Sequence, residues 1–330
     1  MRLTRGLNVR RWYADNLIEF KESPQKGLGV FAKTNIPRGT RVIAETALLE
    51  VNIETVMNIV PAFERLPPSQ QESYLELHGY AGDLFKSIVE LETGKSWQDL
   101  PELHRKVLAI YAANTFGSVY FLGSRLNHSC IPNVNFVYNP LLKQETFHVI
   151  RDIVAGEELT VMYINGTKRT RRQRQQELSR WGFQCTCPAC EDTVQGRQKE
   201  EKRVALFALS EELAANAASR TDESYRTRLL IRERMVAIQK SEGLVNRELR
   251  FGYYEAAKCC LKLNEHKMLL SWTEKMLEVD RYCIGEDHPE YKQLQLIAGS
   301  MKKAIDASQP IPENAMEYFK ERQAEECVIM

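Results

Sequence analysis

The chain has 330 residues, which at roughly 150 per domain predicts two domains and a core large enough to fold without disulfide staples. Hydrophobic residues make up 43% and charged residues 27%, a balance that excludes wholesale disorder. Lys and Arg number 45 against 44 Asp and Glu, so the net charge is only +1 and no sequence-specific nucleic-acid partner is expected.

No segment approaches the roughly 18 consecutive apolar residues of a membrane span, and MRLTRGLNVRRWYADN carries charges with no apolar run behind it. The expectation is an intracellular protein, in cytoplasm, nucleus or both, with reduced thiols. From Leu17 to Val51 the sequence reads as short strands (LIEF, GVFA, VIAETALLEV) broken by turns with Gly and Pro. Residues 52–116 change to helical spacing, with Ser69 a candidate cap behind Pro67-Pro68. Strand character returns over 117–166 in NVNFVYN, ETFHVIRDI and EELTVMYI, and a basic helix, KRTRRQRQQELSRW, follows. It holds five basic residues between Lys168 and Arg174, read as a solvated helix face. From 192 to 330, Ala-, Leu-, Glu-, Lys- and Arg-rich segments fit five or six helices of the tetratricopeptide-like pairing kind, without a strict repeat.

Cys185-Thr-Cys187-Pro-Ala-Cys190 puts three thiols within six residues, and zinc takes four ligands in a tetrahedron. Cys130 is the candidate fourth, because the other four cysteines lie in the helical half and two of them, Cys259 and Cys260, are adjacent. A closed four-thiolate shell predicts one structural zinc with no catalytic position.

KGLGVFA (26–32), NTF (114–116), RLNHSCIPN (125–133), GEELTVMYI (156–164) and WGFQCTCPAC (181–190) occur in an order that resembles the SET-domain protein lysine methyltransferases. The helical insert, the cysteine triplet and the helical C-terminal half are similar to the SET and MYND branch, although the MYND zinc finger is absent. The resemblance implies an α+β fold. Its parts would be a SET-type β-clip domain (1–51 and 117–166) around the insert, a zinc-binding post-SET segment (167–191), and a helical domain (192–330). It implies S-adenosylmethionine as methyl donor and a lysine of a protein as acceptor. Lys26, Gly27, Gly29, Asn114, Asn127, His128, Tyr163 and Phe183 fall on cofactor-binding positions, and Tyr163 on the reacting centre. Trp181 stands in the substrate channel where relatives usually carry Tyr. A lysine amine must lose its proton to attack, which costs about 4.6 kcal/mol at pH 7, and an apolar channel lowers that cost.

Taken singly, these residues read as core aromatics and a polar knot. A scaffold that keeps the fold without turnover, and an enzyme acting on a small molecule, are the alternative readings. Cys327-Val-Ile-Met330 fits the prenylation pattern, farnesyl in kind, so peripheral membrane association is a further expectation.

Overall fold

The computed structural model describes residues 11–51 and 54–321. Eight strands form two four-stranded sheets among these residues. In chain order they are β1 (Arg11–Tyr13), β2 (Ile18–Ser23), β3 (Gly27–Ala32), β4 (Arg41–Glu45), β5 (Asn127–His128), β6 (Val134–Asn139), β7 (Gln144–Val149) and β8 (Glu158–Val161). One sheet runs β1-β4-β7-β6 and the other β2-β3-β8-β5. All pairings are antiparallel except β5 with β8, where Asn127 lies opposite Thr160 and His128 opposite Val161.

Four helices enter between β4 and β5: α1 (Ile59–Glu64), α2 (Pro68–Leu75), α3 (Asp83–Thr93) and α4 (Glu102–Asn114). They do not form a separate body. Phe63, Tyr74, Val107 and Ile110 share one apolar core with Val30, Ile43, Phe147 and Leu159 of the sheets. Ser69 does not cap α2; Pro67 holds the capping position and Pro68 opens the helix, where a missing N–H and a preset φ cost nothing. The run expected to continue as strand to Val51 ends at Glu45. Its buried carboxylate takes the Leu122 and Gly123 N–H groups at 3.1 and 2.5 Å, while Leu48 and Leu49 turn to the Val119 carbonyl.

After β8 come α5 (Arg171–Leu178), α6 (Val194–Ala215), α7 (Asp222–Ser241), α8 (Arg247–Lys262), α9 (His266–Cys283), α10 (Pro289–Asp306) and α11 (Glu313–Glu321). Their starts are written locally. Thr170 and Gln173 form a reciprocal capping box for α5, and Thr193 and Thr221 accept the first free amides of α6 and α7. The helical half has its own core around Tyr254, Trp272, Met276, Leu294 and Met301, and Ile150 and Val137 of the sheet region pack into it. Polar contacts fasten the same junction. Asn135 donates to the Cys283 carbonyl, Arg41 pairs with Asp287, and the Arg38 guanidinium lies 4.0 Å from the Tyr282 ring centre. Among the described residues no helix is long and apolar enough to cross a membrane. Cys327 lies outside the described residues.

Candidate active site and cysteine centre

The parallel pairing of β5 with β8 brings residues 127–133 alongside the strand that leads to Tyr163. Ser129 N–H donates to the Val161 carbonyl, and Thr160 N–H to Asn133 Oδ1 at 2.7 Å. The Asn133 amide in turn holds the Glu158 carbonyl and the Glu157 carboxylate. Buried main chain must find partners inside the protein, and here side chains of the Asn-rich segment supply them.

Tyr163 follows the end of β8. Its hydroxyl donates to the Leu126 carbonyl at 2.8 Å, and burial raises its pKa well above the ordinary tyrosine value. Aromatic rings surround it: Trp181 at 5.4 Å, His128 at 5.3 Å, Phe116 at 6.3 Å and Phe183 at 6.5 Å between centres. Phe136 extends the wall by packing on Phe116. Trp181 is fixed by its indole N–H on the Ala113 carbonyl of α4, so the insert sets the position of one wall. Gly182 makes the turn from Trp181 to Phe183 at φ +74, and a Cβ there would stand 2.5 Å from the Tyr80 ring. Only glycine meets both demands.

Beside this aromatic group lies a polar one. Lys26 Nζ pairs with Glu158 Oε2 at 3.0 Å, and the Asn127 amide donates to Glu158 Oε1 at 2.7 Å and to the Leu28 carbonyl at 3.3 Å. A Cβ on Gly29 would sit 2.8 Å from Glu158 Oε1 and 3.1 Å from Asn127 Nδ2. The absence of a side chain at this position therefore serves the Asn127–Glu158 hydrogen bond. Gly27, at φ +74, faces open space. Asn114 closes α4 and gives both amide protons to the His78 and Ile110 carbonyls, so its donors are committed within the protein.

The four cysteines Cys130, Cys185, Cys187 and Cys190 converge, with all ligand atoms within 4.8 Å of one another. Cys130 Sγ is 3.9 Å from Cys185 Sγ and 3.6 Å from Cys190 Sγ. The sequence placed these thiols but not their surroundings. Gln175 of α5 holds Cys185 through both its N–H and its carbonyl. Arg174, expected on a solvated face, is fully buried. It donates to the Arg169 and Ala189 carbonyls, to Cys190 Sγ at 3.4 Å and to Glu200. Its place in the capped helix α5 turns it inward; a count of basic residues does not distinguish the faces of a helix. Arg203 of α6, also fully buried, donates to the carbonyls of Cys130, Gly166 and Thr167.

His128 joins the two centres. Its Nδ1 accepts the Tyr163 N–H at 3.0 Å and its Nε2 lies 3.3 Å from Cys130 Sγ. Burial pushes the imidazole pKa down to about 4, so the ring is neutral near pH 7. Sequence reasoning missed Glu158, Phe116, Arg174 and Arg203. The first two lay inside motifs already read as significant, whereas Arg203 carried no local signal.

Residues 27–164 match the family model described as the SET domain. Histone-lysine N-methyltransferase set5 of Schizosaccharomyces pombe is 33% identical over 178 residues, which is 54% of this chain and 51% of that protein. The chain thus spans about half the length of this relative. The putative SET domain-containing protein L678 of Acanthamoeba polyphaga mimivirus is 25% identical over 234 residues, 62% of this chain and 90% of that protein. A solved structure of the SET domain of LSMT bound to lysine and AdoHcy aligns with 95% of this chain and 93% of that one, at 14% identity and a TM-score of 0.32. The motif order and the family match agree: residues 27–164 of this chain match the SET domain, and 178 residues of the chain are similar to a histone-lysine N-methyltransferase of the set5 kind.

Proposed function

We propose that the protein transfers a methyl group from S-adenosylmethionine to a lysine side chain of another protein. The observation that carries this reading is the convergence of Asn127, His128 and Tyr163 beneath a wall made by Phe116, Trp181 and Phe183. The residues present fit an amino-acid-bearing cofactor: beside the open face of Gly27, the Lys26 ammonium and the Glu158 carboxylate pair with one another and could exchange that pairing for the cofactor's own charges, while Asn127, whose amide nitrogen is held by Glu158 and Leu28, fixes Glu158 in place. S-adenosylmethionine, when bound, supplies an electrophilic methyl carbon. Everything else is asked of the chain. The Tyr163 hydroxyl, anchored on the Leu126 carbonyl, orients the incoming amine, and the aromatic wall excludes water so that the amine stays neutral.

Zinc at the four thiols belongs to the same proposal. A tetrahedron with sulfur at about 2.3 Å has edges of about 3.8 Å, close to the 3.6 and 3.9 Å found from Cys130. Charge points the same way. Arg174 and Arg203 are fully buried beside the thiols, and Arg203 is held below its ordinary pKa by burial first and by Arg174 second. Glu200 pairs with Arg174, and Glu248 and Glu242 act on Arg203 through their charge; a zinc tetrathiolate would add two further negative charges directly beside both cations. The ion would supply a cross-link and no chemistry.

Incubation of the purified protein with methyl-labelled S-adenosylmethionine and a cell protein extract tests the reading. Label is expected in lysines of one or a few proteins, and Tyr163→Phe is expected to slow its transfer by about a hundredfold, the cost of one misplaced polar group at a reacting centre. Cofactor bound with no label moved to protein would overturn the proposal.

A further inference from the structure

We propose that His128 is a positioning residue through which the metal centre fixes the main chain of Tyr163; this rests on the readings of Tyr163 and of the four thiols given above. β5 ends at His128 and the chain bends at Cys130, which brings the Cys130 sulfur back to within 3.3 Å of the His128 ring. The imidazole has both nitrogens engaged in a site where its residue is only 4% exposed. Nδ1 accepts the Tyr163 N–H, which requires the ring proton of the neutral imidazole to sit on Nε2. Nε2 faces Cys130 Sγ at 3.3 Å, and a metal-bound thiolate is an acceptor there. Tyr163 lies past the end of β8, so the imidazole takes the place of a strand partner for its amide. Two hydrogen bonds thus run from a metal ligand to the residue whose hydroxyl lies on the Leu126 carbonyl. A displacement of the Cys130 sulfur is passed to the Tyr163 backbone. The four-thiolate centre then tunes the reaction centre as well as holding the fold.

The experiment uses the full chain, labelled with ¹⁵N only at tyrosine and loaded with zinc, the Tyr163 amide being assigned by its loss in Tyr163→Phe. Exchanging zinc for cadmium lengthens the metal–sulfur bonds while keeping the centre closed. In the wild type the Tyr163 amide is expected to shift more than any other tyrosine amide. His128→Gln keeps a donor at the reach of Nε2 and loses the acceptor for Tyr163; His128→Asn keeps that acceptor and loses the sulfur contact. Both should abolish the cadmium-induced shift, and either suffices if the other fails to fold. His128→Asn should also weaken zinc by about 10- to 100-fold in a chelator competition, which His128→Gln should not. A Tyr163 amide indifferent to the exchange, or one that shifts equally in wild type and variants, overturns the relay. A protein that takes up neither metal overturns the metal reading and the relay together. A relay that responds as expected in a protein that methylates nothing leaves the relay standing and overturns only the activity.

Discussion

Buried arginines occur in two regions of this molecule and are handled in opposite ways. In the helical half, Arg250 of α8 donates to both carboxylate oxygens of the fully buried Asp280 of α9 at 3.0 and 3.1 Å, and to the Tyr318 hydroxyl. Arg247 adds a contact to Asp280 and a bond to Glu290. Every charge there has a counter-charge from the chain itself. At the cysteine centre, Arg174 and Arg203 lean mainly on main-chain carbonyls and on sulfur, and Glu200 is the carboxylate within reach of Arg174. One region is electrostatically complete as a polypeptide. The other would be completed by the proposed ion, and the difference predicts which part of the protein depends on its solution conditions.

The largest expected effect is therefore metal removal. Structural zinc contributes about 10–16 kcal/mol of apparent binding free energy, so Cys185→Ser, or a strong chelator, should collapse hydrogen-exchange protection over 171–190 while α8, α9 and α10 keep theirs. Equal loss in both regions would break the contrast. Next comes the self-sufficient pair. Asp280→Asn leaves the Arg250 guanidinium buried without its carboxylate and should lower stability by about 3–5 kcal/mol in denaturant unfolding, with no change in metal content.

A smaller effect tests a buried carboxyl that has neither solution and is held protonated instead. Glu145 of β7 stands opposite Glu45 of β4. Burial pushes it up to about 8, the Glu45 charge adds to the rise and a hydrogen bond from Tyr120 opposes it. A carboxyl whose folded pKa lies above the unfolded value stabilises fully only while both states are protonated. Stability should fall as pH climbs from about 4.5 toward 8. Glu145→Gln should flatten that slope in unfolding curves taken at several pH values; an unchanged slope would assign it to other groups.

The candidate site was readable in the sequence to the extent that its chemistry is local. Three cysteines within six residues, and an Asn-His-Ser-Cys run, are patterns whose spacing is set by a ligand or a short strand. The strands and helices were readable for a similar reason, since Thr170, Thr193 and Thr221 write helix starts within four residues of themselves. Arg174 shows the limit. It follows Arg171, Arg172 and Gln173, and nothing in that run tells a cation that will pair with sulfur from one that will face water.

The amino-acid order by itself determined the succession of strands, insert, cysteine segment and helical half, because periodicity, capping and turn chemistry act over a few residues. It also determined which four sulfurs could share an ion. Only the tertiary structure decided that Glu158 would bind both Lys26 and Asn127, and that Arg203, 73 residues beyond Cys130, would hold its carbonyl. It alone placed the two nitrogens of His128 against a sulfur and a tyrosine amide. Such contacts join residues far apart in sequence through hydrogen bonds a few ångströms long, and their partners are fixed by how the sheets and helices pack.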